Sequence, residues 1–396
     1  MTSPLTGVRV LDLTRVVAGP SCGRSLVELG AEVIKLEPPE GDLTRKARPR
    51  VGGIPVYYSQ LNAGKFCISL DLGSAEGRLL AARIAATCDV VVENFRPGVA
   101  SRLGLGFEEL SASNPGLVYC SITGYGQSGP NREARAYAPV VHAEIGHLEF
   151  AARQLSRETS HEAVSHADHA AGQQATIGIL AALVARGVSG VGTHVDVSMA
   201  EAMWAINEWT SIEAAGGTDE VSVMGSHRAP IFRVGDGTQV VATGDPAGTF
   251  VIWARLMGRP ELMDDERFAT GAARNEHRDE MSRLIGDWTA TIASYEAFED
   301  VLEGSGIVAG RVRTIAEAVK EPWVEHREAF VDVDSNGEAV RIPRSPIRMS
   351  GHTVGDRRPT KWQGQDNGEV LGSILGLDDD QIAALTADGV LIERPA

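Results

Sequence analysis

The sequence predicts an α/β protein, with a doubly wound, mostly parallel sheet in a large domain and a smaller α+β domain beside it. Three observations carry this. Strand-like and helix-like segments alternate through the first 125 residues, which indicates crossover connections and hence parallel pairing. The chain is 396 residues long, beyond the length at which one core usually stops growing. From about residue 225 the alternation gives way to a turn-linked strand pair followed by helices.

Taken in order, Val8–Leu13, Glu32–Glu37, Cys67–Leu72, Val90–Asn94 and Leu117–Thr123 read as short apolar strands. Between them, Ser74–Cys88 has helical spacing, with Leu79, Leu80, Ile84 and Ala85 on one face. A small-residue helix is predicted from His169, with Gly187 as its stop. Thr193–Ser198 is another strand, and a helix follows from Met199 to about Glu213. Gly235-Asp236-Gly237 predicts a hairpin turn between Ile231–Val234 and Gln239–Ala242. Helices over Phe250–Met257 and Arg278–Ile292 complete the smaller domain. Val340-Arg341-Ile342 reads as a strand, and Asp378–Leu385 as an amphipathic helix with an acidic start. The predicted boundaries are 1–213 for the first part of a Rossmann-like large domain, 214–224 for a linker, 225–328 for the small domain, and 329–396 for a segment returning to the large one. In such a sheet, ligands bind just beyond the carboxyl ends of the strands.

A net charge of −16 argues against nucleic acid and anionic membranes as partners. It leaves room for a phosphorylated ligand on a local basic patch. No stretch reaches the ~20 apolar residues of a membrane span, and residues 1–7 lack the pattern of a signal peptide. The four cysteines, Cys22, Cys67, Cys88 and Cys120, form no C-x-x-C pair, so buried thiols in a cytoplasmic protein are expected.

Ser165-His166-Ala167-Asp168-His169-Ala170-Ala171-Gly172 puts one carboxylate at the mouth of the small-residue helix. Asp168 is either the helix cap, the commoner use of such a residue, or a nucleophile kept ionised by the helix's positive end. Gly124-Tyr125-Gly126-Gln127-Ser128-Gly129 spells G-x-G-x-x-G after a strand, but Pro130-Asn131-Arg132-Glu133 follows instead of an apolar helix. A flexible loop over a site is the better reading than a nicotinamide or flavin fingerprint. His142, His147, His161, His166 and His169 crowd the middle of the chain without metal-ligand spacing or cysteine partners, so no metal is predicted. One of them can steer or hydrogen-bond a carboxylate substrate near Asp168. Arg15, Lys35, Arg45, Arg96 and Arg102 lie in or after the strands. Singly each reads as a surface or salt-bridged residue; together they can hold phosphates.

Leu11–Pro20, Gly30–Glu37 with Gly41-Asp42, Val92–Gly98, the Asp168 stretch with Ile179–Leu183, and Asp264–Phe268 followed by Arg274-Asn275 resemble the class III coenzyme A transferases. This CaiB/BaiF group contains formyl-CoA transferase, carnitine CoA transferase and the α-methylacyl-CoA racemases. The resemblance runs from about residue 5 to residue 390. It implies that Asp168 is the catalytic carboxylate, and that Arg15, Val16, Val17, Leu70, Asn94, Phe95, Arg102 and Arg135 contact coenzyme A. It also implies an acyl-CoA and a small carboxylic acid as substrates, without NAD or metal, and a homodimer of interlocked chains. Gly124, Gly126 and Gly129 are candidates for an oxyanion or lid loop. Gly73 stands where some relatives have a lysine, and Tyr137-Ala138 where the racemases have a His-Asp pair. Ser226–Pro230 replaces a glycine-rich loop, which argues against oxalate or formate as acceptor. The expected activity is CoA transfer through an aspartyl anhydride and an aspartyl-CoA thioester on Asp168. The alternatives are a racemase or epimerase of the same family, a non-catalytic CoA-binding protein, and a nicotinamide-dependent oxidoreductase.

Overall fold

The apolar strands of the first half assemble into a six-stranded sheet in the computed structural model, which describes residues 2–155, 157–216, 229–355 and 358–395. The strands are β1 (Arg9–Asp12), β2 (Glu32–Glu37), β3 (Phe66–Ser69), β4 (Val90–Glu93), β5 (Val118–Thr123) and β6 (Thr193–Ser198). Their order is β3-β2-β1-β4-β5-β6, and every pairing is parallel. The chain therefore builds outward from β1 on one side, then crosses to build outward on the other. The direction reverses between β1 and β4, and the crevice there is the place where such sheets hold ligands.

Both faces of the sheet are covered, which is why its inner strands read as unbroken apolar runs rather than alternating ones. Val10, Val33, Val92 and Cys120 pack one face against the helices α1 (Ala18–Glu28), α4 (Ala138–Glu144) and α5 (His166–Ser189). Between α1 and α4 in sequence lie α2 (Val56–Asn62) and α3 (Ala75–Ala85). Leu11, Ile34, Ile68 and Tyr119 pack the other face, with α3 and the C-terminal segment.

Several expected boundaries shift for identifiable reasons. The third strand stops at Ser69, because Leu70 instead forms an antiparallel bridge with Leu391 of the tail. In α3 the buried face is Leu80, Ala81, Ile84 and Ala85, and Leu79 turns to solvent. Ser74 caps that helix by accepting the Gly77 N–H. Helix α5 opens at His166 rather than 169 and runs through Gly187 to Ser189, where Gly190 (φ +72°) adopts the left-handed C-terminal conformation. The next helix, α6 (Met199–Ile206), ends well short of residue 213.

The chain divides into two compact units, one of residues 1–153, 158–210 and 323–396, the other of residues 154–157 and 211–322. In the first unit the tail seals the β3 edge: Asp366 accepts the Cys67 N–H at 2.7 Å, and Asn367 Oδ1 accepts the Ser69 N–H at 2.9 Å. The second unit carries a three-stranded antiparallel sheet of Ile231–Arg233, Gln239–Ala242 and Ala309–Arg311. Its core gathers Phe250, Trp253, Phe268 and Phe298. There the Arg274 guanidinium binds the carbonyls of Ala247 and Phe268 at 2.7 and 2.9 Å, so this part of the quoted motif braces the fold. Most of the expected linker, residues 217–224, lies outside the described residues, as do Ser226, His227 and Arg228 of the segment replacing the glycine-rich loop.

Candidate active site

The turn from β1 into α1 sits at the sheet's reversal point. Asn94, just past β4, clamps it: Asn94 Oδ1 accepts the Arg15 N–H at 3.0 Å, and Asn94 Nδ2 donates to the Arg15 carbonyl at 2.9 Å. Val16 follows at φ +72°, a left-handed conformation that costs a β-branched residue on the order of 1–3 kcal/mol. Its N–H is held by the Asp42 carboxylate at 3.2 Å. Asp42 is itself fixed by Lys35 at 3.1 Å and by the Thr44 N–H at 2.9 Å, and Asp42 and Lys35 are both fully buried. Burial works against the Asp42 charge, but Lys35 and the Thr44 hydrogen bonds hold its carboxyl below the usual range. The strained turn is therefore determined from outside itself, by Asn94 just past β4 and by Asp42 in the loop after β2.

This overturns one expectation. Lys35 is spent on Asp42 and on the Thr14 carbonyl at 2.8 Å. Arg45 forks onto Glu37 at 2.7 and 2.8 Å. Neither is free to hold a phosphate; the sheet's own carboxylates claim both.

The turn delivers Ala18, the first residue of α1, to Asp168. The Asp168 carboxylate lies near the backbone N–H groups of Ala18 and of Ala138, the first residue of α4, close enough for both to pull its pKa down. Asp168 itself lies in the first turn of α5. Three helix starts thus converge on one carboxylate, each with its positive end toward it. Burial pushes Asp168 up to about 6, against the pull of those two N–H groups. Asp168 is not the N-cap of its own helix; Ser165 holds that position and makes no side-chain cap. Tyr57 of α2 stands near enough that, beyond the effect of burial, the charges of Asp168 and Asp42 raise its phenol.

Close approach of α1 and α5 makes this geometry possible. Gly172, four residues after Asp168, faces Ser21 and the Ala18 carbonyl; a Cβ there would overlap Ser21 Oγ and lie 2.6 Å from the Ala18 oxygen. The run of small residues that marked this helix in the sequence is what lets the two backbones meet.

Of the remaining candidates, Val17 is the N-cap residue of α1, and the Phe95 N–H is anchored on Glu93 Oε2 at 2.7 Å. Burial lifts Glu93 to about 7. A cleft of about 130 Å³ opens beside that turn, lined by Glu93, Arg96, Phe107, Ser121 and His194 among others. Leu70 is fully buried, and its N–H is bonded to the Glu37 carbonyl at 3.1 Å. Arg102 and Arg135 are exposed, and neither side chain takes part in a hydrogen bond or ion pair among the described residues. In the glycine loop the Gly126 N–H is committed to Thr123 Oγ1 at 2.9 Å, and the Gln127 N–H to Asp196 at 3.0 Å. Gly126 is therefore not a free oxyanion donor; the donors at the carboxylate are Ala18 and Ala138. No helix opens between residues 124 and 137, so the G-x-G-x-x-G lacks the helix start a dinucleotide needs.

His142 is buried, and its Nε2 accepts the Ala167 N–H at 3.1 Å. A ring nitrogen occupied in this way is not available to take a substrate's α-proton, and Ala138 brings only its backbone to the site.

A buried carboxylate at the start of a helix, in a parallel sheet with a ligand crevice at its reversal point, is the arrangement of an α/β enzyme. The sequence model of CoA-transferase family III matches residues 5–367. The chain belongs to this family and is a CoA-transferase of family III. It is 34% identical over 397 residues to succinyl-CoA–D-citramalate CoA-transferase of Chloroflexus aurantiacus, covering 98% of both chains. It is 31% identical to the human succinyl-CoA:glutarate CoA-transferase, covering 98% of this chain and 90% of that one. Among solved structures, a CAIB/BAIF family protein from Brucella suis superposes with a TM-score of 0.80 at 31% identity, over 94% of this chain and 100% of the other.

Proposed function

We propose that this enzyme moves coenzyme A from a dicarboxylic acyl-CoA, with succinyl-CoA the first candidate, to a free carboxylic acid through covalent intermediates on Asp168. The observation that carries the reading is the convergence of the Ala18 and Ala138 N–H groups on the Asp168 carboxylate. The dicarboxylic preference rests on the names of the relatives from Chloroflexus and human.

An Asp168 oxygen attacks the thioester carbonyl; the C–S bond breaks and CoA leaves as thiolate, giving a mixed anhydride. The thiolate then attacks the aspartyl carbonyl and expels the donor acid, leaving an aspartyl-CoA thioester. The acceptor carboxylate attacks that thioester, and the released thiolate attacks the acceptor acyl carbon of the new anhydride. The acceptor's CoA ester departs and Asp168 is restored. In the two steps at the aspartyl carbon, negative charge gathers on an Asp168 oxygen. The Ala18 and Ala138 amides lie beside that carboxylate, and in this reading they serve as its oxyanion hole. Burial that lifts Asp168 to about 6 strengthens its nucleophilicity while leaving it ionised at neutral pH.

In this reading Arg15, Val16, Val17, Asn94 and Phe95 hold CoA at the reversal of the sheet, with Leu70 packed beneath them and Arg102 and Arg135 facing its phosphates. Gly124 and Gly129 remain as parts of a covering loop. The enzyme works in the cytoplasm as an interlocked homodimer; no helix among the described residues is long and apolar enough to cross a membrane.

The test is to incubate the protein with acetyl-, succinyl- and an aromatic acyl-CoA and map adducts by peptide mass spectrometry. An acyl or CoA adduct on Asp168 with succinyl-CoA, absent in Asp168→Ala, is expected. Measurable CoA binding with no adduct from any donor would overturn the mechanism.

A further inference from the structure

Histidines gather beside the nucleophile, yet the transfer steps use none of them. His142 occupies a particular position among them. It lies four residues after Ala138 on α4, one helical turn along the same face. The Ala138 N–H lies near the Asp168 carboxylate, and Ala167 donates its N–H to His142 Nε2 at 3.1 Å. The Ala167–His142 hydrogen bond therefore ties α4 to the first turn of α5. The Ala167 N–H is one of the amides that a helix start leaves without an internal partner, and Ser165 supplies no side-chain cap.

We propose that His142 is a positioning residue for Asp168: its neutral imidazole, protonated on Nδ1, accepts the Ala167 N–H and fixes the first turn of α5 so that the carboxylate meets the Ala18 and Ala138 amides. The role rests on Asp168 being the nucleophile. It requires a neutral ring, because protonated Nε2 would set a donor against the Ala167 donor.

The surroundings keep the ring neutral. His166, on the first residue of α5, lies 6.2 Å away ring to ring, and His147 of the helix His147–Gln154 lies 5.4 Å away. Glu162, in the segment before α5, sits 3.6 Å from His147 Nε2. Burial first, then His147 and His166, lower the His142 value below that of a free imidazole, with Glu162 opposing.

Two protonations then silence the enzyme in acid, one at Asp168 and one at His142. The limiting slope of log kcat against pH in the acid limb is expected to approach about two, against about one for a single group. In His142→Gln the amide oxygen can accept the Ala167 N–H but does not titrate. Its kcat at pH 8 should stay within about threefold of the parent while the slope falls to about one. His142→Leu should lose at least roughly tenfold in kcat with KM for acyl-CoA little changed, since the substrate is not touched. An acid limb of unchanged slope in His142→Gln, or full kcat in His142→Leu, overturns the proposal. Should His142→Leu fail to fold, the slope measured on His142→Gln decides alone. Adduct mapping separates the two readings: an adduct on Asp168 with an unaltered His142→Gln profile sinks the positioning role and leaves the nucleophile standing.

Discussion

At Asp168, burial and two amide donors oppose each other, and burial wins: the folded carboxyl is lifted from 3.8 to about 6. The sign of the consequence follows directly. Between those two values the folded chain binds a proton that the unfolded chain has released, so stability contributed by this group is present below about pH 4 and lost as pH rises through 6. Asp168→Asn is therefore expected to be more stable than the parent at pH 8, by roughly 1–3 kcal/mol, while exchanging no CoA. The gain should shrink to nothing below about pH 4. Denaturant melts at the two pH values check this, and equal stability at both would show that the carboxylate is not desolvated. Activity runs the other way, because only the ionised form attacks; kcat falls as pH drops through about 6.

Helices α1, α4 and α5 matter as rigid bodies that bring amide groups to one point. Gly172 sets how closely α1 and α5 approach. Gly172→Ala forces Ser21 or the Ala18 carbonyl to move, and overpacking of this kind costs about 1–3 kcal/mol. Where the Ala18 carbonyl gives way, the start of α1 beside Asp168 shifts with it, and we expect kcat to fall at least about tenfold, well beyond what the stability loss explains. A variant with parental kcat would show that the Ala18 amide is dispensable. The turn before α1 belongs to the same scale. Val16 at φ +72° is held by Asp42 and Lys35 on a neighbouring strand and loop. That turn was quoted in the sequence as part of a resemblance, but nothing local to residues 14–17 reveals its left-handed bend. Only the Gly41-Asp42 pair hinted at the support, and its target could not be read.

For the whole molecule, the proposed homodimer finds support in α5, whose outward face carries Ile177, Val184 and Val188 at 59%, 72% and 90% exposure. Their helical spacing makes a continuous apolar stripe, which a stable soluble chain ordinarily covers. Sedimentation should show a dimer at micromolar concentration, and Val184→Asp combined with Val188→Asp should convert it to monomer. A parent that sediments as a monomer would overturn the dimer. Covering α5 would also stiffen the helix that bears Asp168, coupling assembly to activity.

Sequence by itself determined the strands and crossovers of the sheet, because apolar runs bounded by turns are local signals. It likewise located Asp168 at a helix start and flagged the small residues around Gly172. Taken singly, Lys35 and Arg45 are the salt-bridged residues the sequence suggested, paired with Asp42 and Glu37; it is the collective phosphate-holding reading that loses them. The sequence also could not find Ala18, Ala138 or His142 as partners of the site. Those partners act through backbone N–H groups or a buried ring brought from positions 25 to 150 residues away, and a backbone amide leaves no mark in the identity of its residue. Tertiary structure alone decided that three helix starts meet at one carboxylate, since convergence of that kind depends on crossing helices rather than on any local pattern.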